Sequence, residues 1–288
     1  MGEIKIITDS GADLPKNLVE QYNIDVIPLL VYLGEQEYLD GETIQPVEIF
    51  NGMREGKVYK TAQVPASVFR EKFTEYAERK ENCIYIAFSS ELSGTCRTAQ
   101  MVKSEILNDY PDFELEIIDS KCASLGFGMV VLKAAKMAKE GASKSDILHA
   151  VQFYSQHMEH IFTVDNLEYL YRGGRVSRAS AFIGSLLNIK PVLNVEDGKL
   201  IPIDKVRSRK KAISRMVEIM KERGADLPNQ IIGISHGDDP EGVHALRQMI
   251  EESFGCREFL INTIGSAIGA HSGPGTLALF FLNEKAPL

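Results

Sequence analysis

Tryptophan is absent from the chain, and cysteine is scarce: Cys83, Cys96, Cys122 and Cys256 lie far apart with no C-x-x-C pair. Neither a disulfide framework nor a zinc knuckle is indicated, and a cytoplasmic setting is expected. No stretch approaches the roughly 18 consecutive apolar residues that a membrane span needs. Glu3 and Lys5 interrupt what would have to be an apolar leader, Ile6 stands where myristoylation wants Ser or Thr, and NEKAPL holds no prenylation cysteine. Neither a signal peptide nor a lipid anchor is therefore expected. There is also no G-x-x-x-x-G-K-[ST] and no kinase glycine loop with its lysine, so nothing in the chain looks like a nucleotide site.

What is present is ordinary globular composition, 44% hydrophobic and 25% charged over 288 residues. That excludes disorder, collagen and coiled coil, and the length suits about two domains. A net charge of −8 argues against a nucleic-acid protein, but the charge is uneven. Between Asn166 and Arg215, 11 Lys and Arg face 4 acids, a surplus of +7 that leaves −15 elsewhere. Such a stretch is either a solvated basic face or a docking site for something anionic.

Short Ile- and Val-rich runs alternate with segments of helical period. IKIIT (4–8), CIYIAF (83–88) and FELEIID (113–119) read as strands, and IDVIPLLVYL (24–33) as one or two strands broken by Pro28. Pro15 opens a first helix, and Phe69, Phe73, Tyr76 and Ala77 share one face of a helix over 66–80. Further helices are expected near 95–107, 124–140 and 145–158, which gives a Rossmann-like parallel sheet with helices on both faces. From about residue 159 the pattern changes: strands at HIFTV, PVLNV and LIPID, the last two joined by Glu196-Asp197-Gly198-Lys199, imply a hairpin. Helices near 208–223 and 241–254 and strands at 231–235, 257–263 and 277–282 complete a mixed layer. The expectation is an α/β protein of two domains, 1–158 and 159–288.

Several segments could carry chemistry. Asp9, Ser10, Asp119 and Ser120 follow strand ends, where an open parallel sheet binds ligands, although turns that merely close strand-to-helix connections fit equally. Ser93, Gly94 and Thr95 sit where a helix begins, an anion site or an N-cap or both, with Gly94 admitting another backbone. Gly265, Gly269, Gly273 and Gly275 surround His271 in what reads as a glycine-built turn leading into a strand, which suits a histidine that donates to a ligand oxygen. Gly233-Ile-Ser-His-Gly237 matches G-x-S-x-G, raising a serine acyl hydrolase using Ser235 or Ser93. Asp238, Asp239 and Pro240 intervene, however, where a nucleophile elbow would start its helix at once. His157 with His160, or His236 with Asp238 and Asp239, are sparse ligand sets, and no metal or other cofactor is expected.

TDSGADLP (8–15), TAQVPAS (61–67), SSELSGT (89–95), IIDS (117–120), LEYLYRGGRVS (167–177), LLNIKPVL (186–193), KVRSRKKA (205–212) and HSGPGTLAL (271–279) together resemble the DegV family, in family order along essentially the whole chain. The resemblance implies a long-chain fatty acid buried between two α/β domains, in a non-catalytic subunit that presents it to a separate ATP-dependent fatty acid kinase. It implies that the carboxylate lies near Ser93, Gly94 and Thr95, with Thr61 and His271. Many members read T-S-Q-P where this chain has Thr61-Ala62-Gln63-Val64, so position 62 offers no hydroxyl. Burying about 14 methylenes gains roughly 11 kcal/mol before ordering costs. Neutral hydroxyls and helix amides would meet the carboxylate without a buried counter-charge. Arg172, Arg175, Arg178, Lys205, Arg207 and Arg209 are then candidates to meet an acidic kinase surface, although Arg172 and Arg175 around Gly173-Gly174 serve a structural role equally well. No nucleic acid and no integral membrane association are expected; any membrane contact would be transient, for lipid exchange.

Overall fold

The structure, a computed structural model, describes residues 4–176 and 189–286. The first half alternates as its sequence requires: β1 (Lys5–Asp9), α1 (Lys16–Gln21), β2 (Asp25–Ile27), β3 (Leu30–Leu33), β4 (Gln36–Leu39), α2 (Pro46–Arg54), β5 (Tyr59–Ala62), α3 (Ala66–Glu78), β6 (Cys83–Ala87), α4 (Thr95–Asp109), β7 (Leu115–Asp119), α5 (Ser124–Lys139) and α6 (Lys144–His157). Strands in the order β2-β1-β6-β7 form a parallel sheet. All five residues of β6 are buried, as a central strand covered on both faces demands. Phe69, Phe73, Tyr76 and Ala77 are the buried face of α3.

Pro28 does more than break a strand. It separates β2, in the parallel sheet, from β3, which joins a small antiparallel sheet in the order β4-β3-β5. Proline cannot donate to a ladder, so the chain leaves one sheet there and enters another. That second sheet carries Thr61 on β5.

The second half contains β8 (Met158–Thr163), α7 (Glu168–Arg172), β9 (Ile189–Glu196), β10 (Lys199–Arg207), α8 (Arg209–Arg223), β11 (Ile231–His236), α9 (Pro240–Phe254), β12 (Glu258–Thr263), α10 (Ser266–Ser272) and β13 (Leu277–Leu282). Its six-stranded sheet runs β10-β9-β8-β13-β11-β12, with β11 and β12 parallel and the other neighbours antiparallel. Asp197 (φ 48°) and Gly198 (φ 82°) both take the positive φ that a two-residue hairpin turn needs. The protein is thus a two-domain α/β structure, with a mixed sheet following a parallel one.

The glycine-rich segment before β13 is not wholly a turn. Its first part is the short helix α10, and only Gly273 and Gly275, with φ of 80° and 78°, make the tight turn. Gly269 is a poor helix former and Gly265 and Gly273 flank a helix of only seven residues, so α10 draws its support from outside. The amide of Gly265 donates to Asp13 Oδ1 (2.9 Å) and that of Ser266 to Asp40 Oδ1 (2.8 Å). Two acidic groups of the first domain therefore cap a helix of the second, at the end where its dipole favours them.

Helix α5 lies between the layers, packing on β1 from one side and on β11 and β13 from the other. Phe127, Val130, Val131, Ala134 and Ala135 are buried within one continuous core that also holds Ile84, Ile86, Phe162 and Phe280. The approach is close at two glycines. A Cβ at Gly126 would lie 2.5 Å from Phe280 and 2.6 Å from His160 Nε2, and one at Gly128 would lie 2.2 Å from the carbonyl oxygen of Ala12. Because that oxygen is backbone, Gly128→Ala should destabilise the protein by about 1–3 kcal/mol of overpacking, outweighing about 1 kcal/mol of helix propensity gained. Urea unfolding midpoints measure this; a variant as stable as the parent would show that α5 does not fix the spacing.

Candidate functional site

Where α5 begins, the layers enclose a cavity of about 390 Å³, within the roughly 300–1,000 Å³ usual for small-molecule sites. Its walls are chiefly apolar, among them Leu29, Phe88 and Leu92 from the first domain and Phe162, Ala278 and Phe280 from the second. The polar lining includes Thr61, Gln63, Ser93, Gly94, Arg175 and His271. Thr61, Ser93, Gly94 and His271, from β5, the loop before α4 and α10, thus come together; Thr95 lies behind them, fully buried.

These groups are already bonded to one another. His271 Nε2 and Thr61 Oγ1 are 2.6 Å apart. Ser93 Oγ lies 2.8 Å from Thr95 Oγ1 and accepts from the Thr95 amide at 3.3 Å, while Thr95 Oγ1 accepts from the Val64 amide at 3.3 Å. Gly94 does admit a close neighbour, but a side chain rather than a backbone: a Cβ there would lie 1.9 Å from Gln63 Oε1. Gln63 is held by Nε2 donating to Thr98 Oγ1 at 2.6 Å. The sequence marked Gln63 only as part of the T-x-Q segment; its cavity position follows from β5 ending at Ala62.

Burial, with the charges of Arg175 and Arg172 adding to it, lowers His271 from its ordinary 6.5 to about 4. The imidazole is therefore neutral near pH 7, with one nitrogen to donate and one to accept. A chiefly apolar cavity whose lining includes hydroxyls, a neutral imidazole and the start of a 15-residue helix can receive an apolar molecule with one anionic or polar end. The donor set is not wholly neutral, since Arg175 lines the same cavity. Its Nε donates to the Leu92 carbonyl at 3.2 Å and its Nη1 to the Gly173 carbonyl, and burial depresses its pKa.

The remaining candidates disperse. Asp9 accepts from the Tyr85 hydroxyl (2.9 Å) and the amides of Phe88 (3.0 Å) and Gly11 (3.1 Å), Ser10 donates to Asp40 (2.8 Å), Asp119 accepts from the Ser90 amide (3.1 Å) and Ser120 donates to the Ala87 carbonyl (2.7 Å). All four close strand-end turns outside the cavity lining. Ser235, on β11, is fully buried and bonds to Ser124 at 2.9 Å. Ser93 bonds to Thr95 and His271 to Thr61, so neither serine has the imidazole partner that nucleophile activation requires. Arg209 forms an ion pair with Asp239. Arg172 is exposed over the Tyr169 ring, 5.4 Å from its centre, and Lys205 and Arg207 are exposed on β10. Arg178 lies outside the described residues. No helix among the described residues is long and apolar enough to cross a membrane.

The structure is a two-domain α/β frame around a chiefly apolar cavity with a few polar groups in its lining. The chain belongs to the DegV family: the model described as "Uncharacterised protein, DegV family" matches residues 3–284. A DegV domain-containing protein of Clostridium perfringens is 40% identical over 287 residues, 99% of each chain. Among solved structures, a DegV family protein from Thermus thermophilus, described for its fatty acid binding, superposes with a TM-score of 0.89 at 32% identity, covering 97% of this chain and 99% of that one. DegV of Bacillus subtilis, described as a fatty acid binding protein, gives 0.85 at 30% identity, covering 97% and 99%.

Because folding lowers the His271 pKa, its neutral form contributes stability that is fully present above pH 6.5 and is lost as pH falls towards about 4. His271→Asn should therefore lose less stability than the parent across that window. Paired urea titrations at several pH values test this; parallel pH profiles would mean that the imidazole is not held neutral by its surroundings.

Proposed function

We propose that this protein binds a long-chain fatty acid in the cavity between its domains, with the tail among the apolar walls and the carboxylate at Thr61, Ser93, Gly94, Thr95 and His271. The observation that carries the reading is that Thr61, Ser93, Gly94 and His271 meet in the lining of a chiefly apolar enclosure, with Thr95 directly behind them. The family resemblance and the fatty acid binding described for the proteins of Thermus thermophilus and Bacillus subtilis support it. The tail supplies the affinity, at about 0.8 kcal/mol per buried methylene. The cap keeps the carboxylate from being stranded in an apolar place, which would cost several kcal/mol.

In this reading the protein performs no chemistry. It presents the carboxylate to a separate kinase, where a carboxylate oxygen attacks the terminal phosphorus of ATP and ADP leaves, giving the acyl phosphate. Largely neutral donors suit that task, because they stabilise the carboxylate without the tight ion pair that would blunt its attack. Arg172, Lys205 and Arg207 are exposed and are the residues proposed to meet an acidic kinase surface; Arg209 forms an ion pair with Asp239. A cytoplasmic location fits such a role.

Organic extraction and mass spectrometry of the purified protein should recover one fatty acid per chain; a protein that neither carries nor takes up fatty acid overturns the reading. Ser93→Ala with Thr61→Ala should weaken binding by about 1 kcal/mol for each donor lost, roughly fivefold in Kd apiece, with the fold intact. Charge reversal at Arg207 should slow acyl phosphate formation by the kinase and leave the bound lipid unchanged. Acyl phosphate made from ATP by this chain alone would refute the division of labour.

A further inference from the structure

The cavity runs along two paired strands. Ala278 and Phe280 of β13 line it beside Phe162 and His160 of β8, to which they are matched in register, so alternate residues of both strands face the same space. Leu277, at the start of β13, pairs with Thr163 and follows closely on α10 with its His271. His160 and Phe280 are three residues further along, about 10 Å at ~3.4 Å per residue. They therefore line the end of the strand pair farther from α10 than Ala278 and Phe162 do.

On the other side of that end lies a second hollow, of about 610 Å³, with the polar side chains of Asp119, Lys121, Gln152, Gln156 and Glu159 in its walls. His160 and Val195 border both spaces. We propose that His160, together with Val195, is the end wall of the acyl site and sets the longest chain the protein accepts. The inference rests on the fatty acid reading above.

The ring is built as a wall. His160 Nδ1 lies 2.8 Å from the Met158 carbonyl oxygen, an acceptor, so Nδ1 carries the proton; Nε2 then accepts from the Ala123 amide at 3.2 Å. The ring stands edge-on to Phe280, with centres 5.2 Å apart and planes at 89°. Both nitrogens are used, so the imidazole offers a tail no unsatisfied polar atom. Gly126 admits ring and phenyl side by side, since a Cβ there would strike both. Burial also pushes His160 down to about 4, so the ring stays uncharged beside the tail.

The test is a series of saturated fatty acids from decanoate to docosanoate, titrated into delipidated protein. Each further buried methylene should tighten binding about fourfold (about 0.8 kcal/mol) until the tail meets the wall, where the gain stops. In His160→Ala the break should move to longer chains. Val195→Ala, which disturbs no hydrogen bond, should do the same, and Val195→Phe should move it to shorter ones. If His160→Ala fails to fold by circular dichroism, the two Val195 variants decide. A break at the parent length in every folded variant overturns the end wall while leaving fatty acid binding standing. A parent protein that binds none of the series overturns the fatty acid reading and the end wall with it.

Discussion

The close seating of α5 between two sheets is what the rest of the structure depends on. An α-helix with ordinary side chains all round would hold the layers further apart; Gly126 and Gly128 let the six-stranded sheet and the loop after β1 reach the helix backbone. The separation fixed there carries over to the start of the helix, where Ala123 and Ser124 join the cavity lining. A gap between two stiff sheets, set by backbone contact, holds its width better than one set by long side chains. That is the requirement for a site whose binding energy comes from packing an apolar tail.

A second constraint is electrostatic. Asp9, Asp13 and Asp40 are buried near one another where the domains meet, and burial raises the pKa of all three, Asp9 to about 6. The penalty is tempered by what they accept: Asp9 holds the ends of β1 and β6 together, and Asp13 and Asp40 cap α10. The buried carboxyl Asp9 and the buried histidines respond to protons in opposite senses. The contribution of Asp9 is full below about pH 3.8 and is lost as pH rises through about 6, whereas those of His160 and His271 are full above 6.5 and are lost as pH falls to about 4. Stability on the acid side is therefore a difference between two linked terms.

Much of this was legible in the sequence where local rules decide. The face of Phe69, Phe73, Tyr76 and Ala77 specified α3, and Asp197-Gly198 specified the β9–β10 turn, because periodicity and positive φ are properties of a few neighbouring residues. Thr61 was singled out through family resemblance alone, whereas Ser93, Gly94, Thr95 and His271 also stood out from helix-start and glycine-turn rules. What stayed hidden depended on distant partners. The glycines in and beside α10 argue against a helix until Asp13 and Asp40 are placed at its start. Pro28 announced a break but not a change of sheet. Arg175 belongs to the cavity and Arg209 to Asp239, and no count of basic residues along the chain separates these from Arg207 on the surface. His160 read as part of a strand; only the register against Phe280 shows what it faces.

The capping of α10 also bears on the order in which the molecule can be built. Asp13 emerges from the ribosome early, and Gly265, whose amide it accepts, follows 252 residues later. Until then the first domain holds two carboxyl groups shaped for partners that have not yet been synthesised, and α5, the last but one of its helices, has only one sheet to lie against. Contacts of such long range are slow to form and leave surfaces exposed meanwhile. The first domain is thus a template completed by the second, and the cavity comes into being only when the last strand, β13, is laid between β8 and β11.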